Sequence, residues 1–214
     1  AFMLFSTYGF PIELTEEIAK ERGITVDRTG YEQEFKKHQD LSRSGAEQKF
    51  KGGLADTSEK TTMLHTCTHL ILAGLRKYLG DHVHQAGSNI TSERTRFDFT
   101  HPEKVSREVL DQVEGYVNEA ISKQCPVVIE QMKKEDAQAQ GVEGSFWEKY
   151  PDVVDVYRVK CDDLPTGQAG GTTYSSELCG GPHVVNTSDI KGTFRITKEE
   201  ASSAGVRRIK ATLS

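Results

Sequence analysis

Long apolar runs are missing from this chain. None of its uninterrupted apolar stretches approaches the ~20 residues of a membrane helix or the core of a signal peptide, which excludes a spanning helix and a secretory leader from the reading. Cysteine is scarce. Cys67, Cys125, Cys161 and Cys179 are too few and too scattered for a secreted disulfide scaffold, so reduced thiols in the cytoplasm are expected. An excess of basic charge is also lacking: 27 Lys and Arg stand against 32 Asp and Glu, a net charge of −5, so any nucleic-acid contact must rest on local patches. No repeat of fixed period is visible. Nor is there an initiator methionine: Ala1 opens directly into what reads as mid-protein sequence, and a piece of a longer chain is expected.

What is present suffices for one large domain with an appendage. Residues 1–11 form an apolar, aromatic lead-in, and a short acidic helix follows from Glu16 to Arg22, stopped by Gly23. Residues 31–51 are almost wholly polar and read as exposed helix, with His38 a plain surface residue. Asp56-Thr-Ser-Glu59 has capping-box spacing and predicts a helix to Leu79, with Gly80 as its cap. The apolar residues Leu64, Cys67, Ile71, Leu75 and Leu79 recur at spacings of three and four, and His65, His69, Leu72 and Arg76 lie one step round from that stripe. Residues 81–100 read as strands with Gly87-Ser88-Asn89 as the turn. Pro102 is placed at the first position of a second helix running to Pro126. Further on, 127–132 and 153–159 read as strands and 134–140 as a short helix, while 162–172 reads as a mobile loop and 192–197 with 206–212 as a closing strand pair. The expected class is α+β, a mostly antiparallel sheet packed with two long helices behind a polar helical lead-in, with the boundary between residues 1–56 and 57–214.

Two ligand couples organise this order. His65-Thr-Cys-Thr-His69 and Cys179-Gly-Gly-Pro-His183 each place metal-ligating side chains at i and i+4. A helix brings such positions onto one face, so the first couple can grip a metal from one side and the second can close the shell. An H-x-x-x-H pair alone is a weak signal; together the couples make a complete four-ligand zinc set. Their wide separation in sequence argues against a zinc finger. Gly180 and Gly181 make Cys179 the ligand expected to bind loosely.

The stretches HTCTHLILAGLRKYLGDHVHQAGSNITSERTRFDF, ELCGGPHV and GTFRITKEEASSAGVRRIKA closely resemble the editing region of alanyl-tRNA synthetases, the related free-standing alanyl editing proteins and the threonyl-tRNA synthetase editing domain. The lead-in AFMLFSTYGFPIELTEEIA looks like the segment that follows the tRNA-recognition helices of the alanyl enzymes. The resemblance implies a Zn2+-dependent aminoacyl-tRNA deacylase acting on the acceptor end of tRNA(Ala) mischarged with serine or glycine. It puts His65, His69, Cys179 and His183 at the zinc, and Gln85, Ser88 and Thr91 at the aminoacyl pocket. ATP and alanine would be partners of a full-length synthetase only, and no membrane is implied. The alternatives are a free-standing or threonyl-type editor, and a non-catalytic zinc-stabilised tRNA-binding module.

Three departures from the family pattern stand out. Residues 43–60 pass straight from the lead-in to the H-x-x-x-H helix where synthetases usually carry a glycine-rich β-barrel segment; Pro182 replaces a common Thr; Cys67, expected in the core, replaces a usual Ala. Arg76, Lys77, Arg94, Arg96, Arg207 and Arg208 are candidates for phosphate contact, whereas His82, His84 and His101 are read as structural or surface residues.

Overall fold

The computed structural model describes residues 1–8, 10–37, 53–144, 147, 150–161 and 171–214. His38 and the expected loop at 162–170 lie outside the described residues. The chain divides into two compact units, Ala1–Phe50 and Lys51–Ser214.

The first unit is helical: α1 (Phe2–Tyr8), α2 (Ile12–Glu21) and α3 (residues 28–37). Helix α2 begins four residues earlier than expected because Pro11, at φ −60° and ψ 148°, is already set for a helix entry. Gly23 ends it at φ +67°. Rings hold α1 to α3: Phe5 meets Phe35 edge-on at 5.3 Å and Tyr31 edge-on at 6.0 Å, while Tyr31 and Phe35 stack within α3 at 5.9 Å. The Arg28 guanidinium bridges Glu16 and Glu32 at 2.9 and 3.3 Å.

The second unit is α+β. In chain order it comprises α4 (Glu59–Leu79), β1 (Gln85–Ile90), β2 (Thr95–Thr100), α5 (Arg107–Ser122), β3 (Val127–Lys133), α6 (Lys134–Ala139), β4 (Val153–Cys161), β5 (Thr172–Leu178), a 3-10 turn (Thr187–Asp189), β6 (Phe194–Ser203) and β7 (Val206–Leu213). The strands form two antiparallel sheets, β1-β2-β7-β6 and β3-β4-β5, rather than one. The main core joins the α4 residues Leu64, Cys67, Leu70, Ile71 and Leu75 to Phe97, Phe99, Phe194 and Ile209 of the larger sheet, all of them fully buried. A smaller cluster of Ala137, Val142, Val154, Val156 and Leu178 lies against the other sheet. Helix α5 covers the edge of β6 in a specific way. The Asn118 side chain both accepts from the Phe194 N–H and donates to its carbonyl at 2.9 Å, and Glu114 accepts from the Ile196 N–H at 2.8 Å, so two side chains substitute for a missing strand.

Several boundaries shift from their expected places, each for a local reason. Ser58, not Asp56, caps α4 by accepting from the Thr61 N–H, while Asp56 accepts from the Ser58 N–H at 2.9 Å. Ser106, accepting from the Val109 N–H, starts α5 well after Pro102. Gly87-Ser88-Asn89 is not a turn: it lies inside β1, whose register shifts between Gln85 and Gly87, as a strand glycine at a bulge does. The turn falls at 91–94, where the Thr91 hydroxyl accepts from the Glu93 and Arg94 N–H groups at 3.3 Å. Strand β5 occupies Thr172–Leu178, which begins at the end of the expected 162–172 loop and carries no strand pattern in the sequence. Cys125 and Cys161 form a disulfide, with Cα atoms 4.6 Å apart, where reduced thiols were expected; the β3–β4 ladder, which pairs Val127 with Val159, brings them opposite each other. No described helix is long and apolar enough to cross a membrane.

Candidate metal centre

Helix α4 presents His65 and His69 from its buried face, at 2% and 6% exposure. Opposite, β5 ends at Leu178 and the chain turns through Cys179-Gly-Gly-Pro-His183. The far end of that turn is pinned by the Val127 N–H donating to the Val185 carbonyl at 2.9 Å. The two couples, far apart in sequence, thereby meet: one ligand atom from each of His65, His69, Cys179 and His183 lies within 4.8 Å of the others. Cys179 Sγ is 3.6 Å from His65 Nε2 and 3.3 Å from His183 Nε2. The His65 and His183 rings stack at 4.2 Å, and His69 lies 4.3 Å from His183.

The outward ring nitrogens of His65 and His183 are occupied. His65 Nδ1 is 2.8 Å from the Pro182 carbonyl oxygen, which can only accept, so Nδ1 carries the proton and Nε2 is left with its lone pair facing inward. His183 Nδ1 is 3.1 Å from Thr66 Oγ1. Burial lowers the His65 pKa against the opposing pull of the Pro182 carbonyl. Burial and the neighbouring imidazoles hold His69 well below its ordinary value and push His183 down to about 2. Burial raises the Cys179 thiol to about 11, with Glu177 adding to the rise and the Gly181 and Gly180 N–H groups opposing it.

A metal fits this donor set. Neutral imidazoles are the ligating form of histidine, and the sulfur–nitrogen separations of 3.3 and 3.6 Å match the roughly 3.5 Å that Zn–S and Zn–N bonds subtend at a tetrahedral ion.

Gly181 belongs to this construction for a reason its sequence context did not reveal. A Cβ there would sit 2.5 Å from His65 Cε1 and 3.3 Å from Leu54 Cδ1, whereas at Gly180 it would meet nothing within 4 Å. Gly181 thus allows close packing, and the Gly181 N–H donates to Cys179 Sγ at 3.4 Å, tethering the residue expected to be loose. Two further residues were not singled out in the sequence. Buried Glu177 places Oε2 3.7 Å from His69 Nε2, while its Oε1 has no partner among the described residues. Burial, then the nearby Glu143, raises its pKa well above the carboxylate range, with Arg76 opposing. Its cross-strand neighbour Tyr157 sets its ring 4.7 Å from that of His183. Strand alternation would have put both on one face, had β5 been recognised. Beyond Glu177 a cleft of about 380 Å3 runs along α4 and β5, lined by Ala73, Arg76, Lys77, Glu143 and Ser175 among others.

Of the other candidates, Gln85 Nε2 donates to Ser88 Oγ at 3.2 Å on β1. Ser88 is linked toward the centre through the 53–54 segment: Gly53 packs on Ser88, and Leu54 reaches Gly181. Thr91 is different. It follows the last residue of β1, and its hydroxyl closes the 91–94 turn. Cys67 is fully buried in the core, where burial raises its thiol to about 12. The basic candidates have partners here: Arg76 with Asp81 and Glu143, Arg94 with Asn89, Arg96 and Arg208 with Asp98, Arg207 with Glu199, and Lys77 over the Tyr116 ring. His82 and His101 pair at 2.9 Å, and His84 meets Glu143 at 2.8 Å.

A helix-borne H-x-x-x-H couple and a post-strand C-x-x-x-H couple close on one point of this α+β domain that could hold a metal ion, and comparison with known proteins places the chain among the tRNA synthetases. Residues 154–210 match the threonyl and alanyl tRNA synthetase second additional domain, and residues 1–113 match the class II (A) tRNA synthetases. The alanine–tRNA ligases of Treponema denticola and Treponema pallidum are 54% and 51% identical over 213 residues, covering 100% of this chain and 33% of each relative. That of Thermoanaerobacter sp. is 31% identical over 322 aligned positions, covering 99% of this chain and 35% of the relative. The chain belongs to the alanyl-type class II tRNA synthetase family, and spans about a third of the length of these relatives. The longer alignment also means that the Thermoanaerobacter protein carries inserted residues that this chain and the Treponema relatives lack.

Proposed function

We propose that this chain is the editing region of an alanine–tRNA ligase, a cytoplasmic aminoacyl-tRNA deacylase that hydrolyses seryl- and glycyl-tRNA(Ala). The observation that carries the reading is the convergence of His65, His69, Cys179 and His183 in a chain whose relatives are alanine–tRNA ligases. The need is physical: a pocket shaped for alanine cannot exclude smaller glycine and rejects an added hydroxyl only modestly, so a second site must remove the errors.

The four residues would hold a zinc ion, which when bound supplies a Lewis acid for the ester carbonyl or the attacking water. The protein's own part is orientation and exclusion. The Pro182 carbonyl holds the His65 ring, Gly181 lets the loop close onto it, and buried Glu177 with half-buried Tyr157 limits solvent on that side. Gln85 and Ser88, bonded to each other, would line the aminoacyl pocket, and Arg76 and Lys77 would meet acceptor-stem phosphates. ATP and alanine belong to the rest of a synthetase, not to this region.

The test is hydrolysis of seryl-tRNA(Ala), with alanyl-tRNA(Ala) and seryl-tRNA(Thr) in parallel, by the chain with zinc and after chelation. Zinc-restored loss of the seryl-tRNA(Ala) ester alone is the expected result. Faster hydrolysis of seryl-tRNA(Thr) would favour the threonyl-type reading suggested by Pro182, and no hydrolysis by folded, zinc-loaded protein would leave a binding module.

A further inference from the structure

Thr66 stands between the two histidines of α4 and ligates nothing, yet it is 1% exposed and every hydrogen-bonding capacity of its hydroxyl is engaged. Oγ1 lies 3.3 Å from the Thr62 carbonyl one turn back, 3.2 Å from the Val184 backbone nitrogen and 3.1 Å from His183 Nδ1. A hydroxyl has one proton to give and two lone pairs. The Thr62 carbonyl can only accept and the Val184 N–H can only donate. If the hydroxyl proton goes to Thr62, one lone pair takes the Val184 N–H and the other is left for His183 Nδ1, which must then carry its own proton. His183 Nε2, 3.3 Å from Cys179 Sγ, is thereby left as the bare, metal-ligating nitrogen.

We infer that Thr66 is a positioning residue for the metal centre: its hydroxyl fixes the Nδ1–H tautomer and the ring orientation of His183, and in the same bond set fastens the second ligand couple to the helix that carries the first. The contact with the Val184 N–H makes this more than a tautomer lock, because it anchors the backbone just past the ligand. The nearest buried hydroxyl on the helix does not do the same. Thr68, also buried, turns its hydroxyl to the His65 carbonyl at 2.5 Å and serves only its own helix. The inference rests on the four-residue metal reading, and its test separates the two.

Three variants of the whole chain are compared: Thr66→Val, which keeps the shape and removes the oxygen; Thr66→Ser, which keeps the oxygen; and Thr68→Val, which removes a buried hydroxyl that touches no ligand ring. Zinc dissociation constants come from chelator competition, and the His183 tautomer of the metal-free protein from long-range 1H–15N correlation spectra. Thr66→Val should weaken zinc binding about 10- to 100-fold, the usual cost of losing an outer partner of a ligating histidine, and release His183 from a pure Nδ1–H form. Thr66→Ser should restore both, and Thr68→Val should leave both unchanged. A Thr66→Val protein with parental zinc affinity and an unchanged tautomer overturns the inference, as does equal weakening by Thr68→Val, which would mean general helix damage. Should Thr66→Val not fold, the proposal still requires Thr66→Ser to keep parental affinity and the parental protein to hold His183 as Nδ1–H; either failing overturns it. Absence of zinc binding by the parental chain would instead sink the metal reading.

Discussion

Substituting the two adjacent glycines of the Cys179–His183 turn one at a time should give opposite results. In Gly181→Ala the new Cβ would start 2.5 Å from His65 Cε1 and 3.2 Å from its Nδ1. Ordinary carbon contacts begin near 3.5 Å, so the His65 ring or the turn must move by about 1 Å. Either movement strains the 2.8 Å bond from His65 Nδ1 to the Pro182 carbonyl and misplaces Nε2. Overpacking of this kind costs about 1–3 kcal/mol, and loss of the hydrogen bond adds roughly 1 kcal/mol. In Gly180→Ala the Cβ meets nothing within 4 Å and the backbone is not left-handed, so stability should stay within about 0.5 kcal/mol of the parent. Urea unfolding of both metal-free variants reads the first quantity. Chelator competition for zinc reads the second, with at least a tenfold loss expected for Gly181→Ala and none for Gly180→Ala. Equal behaviour of the two variants would refute the claim that close approach to His65 is what requires glycine here.

Metal affinity should depend on pH with a definite sign. The free Cys179 thiol holds its proton up to about pH 11 and must lose it to ligate, whereas the three histidines are already neutral near pH 7; zinc binding should tighten about tenfold per unit as pH rises from 7 to 9, with one proton released per ion, as calorimetry in buffers of different ionisation enthalpy would show. Arg208→Ala removes both bonds, at 2.7 and 2.8 Å, that its guanidinium makes to the nearly buried Asp98. It should destabilise the second unit by about 1–3 kcal/mol in urea unfolding, without changing zinc stoichiometry. Glu177→Gln keeps the shape of the side chain beside His69 and should leave zinc stoichiometry unchanged; metal analysis of the purified variant checks this.

The scaffold of the centre was legible because it is written in local periodicity. Apolar residues at spacings of three and four around His65 and His69 left one helix as the reading, and Val153–Val159 alternates into a strand. Residues whose role depends on tertiary approach were not legible. Gly87 and Ser88 have turn composition, yet pairing with Asp98 and Phe97 drew them into β1. Pro102 suits a helix start, but Ser106 offered a better cap. Thr172–Leu178 carries little apolar content, and only its pairing with β4 makes it a strand; with β5 unread, Glu177 and Tyr157 could not be placed beside the histidines. Thr66 and Gly181 acquire meaning only when the second couple docks on α4, and the Cys125–Cys161 bond only when the register of β3 on β4 is set.

Metal content of the purified chain tests the account most directly, measured by elemental analysis on the parent and on the His65→Ala, His69→Ala double variant, with X-ray absorption at the zinc edge for the parent. The account predicts one zinc per chain with three nitrogen neighbours and one sulfur neighbour, and none in the double variant. Unchanged stoichiometry after removal of both histidines would contradict it.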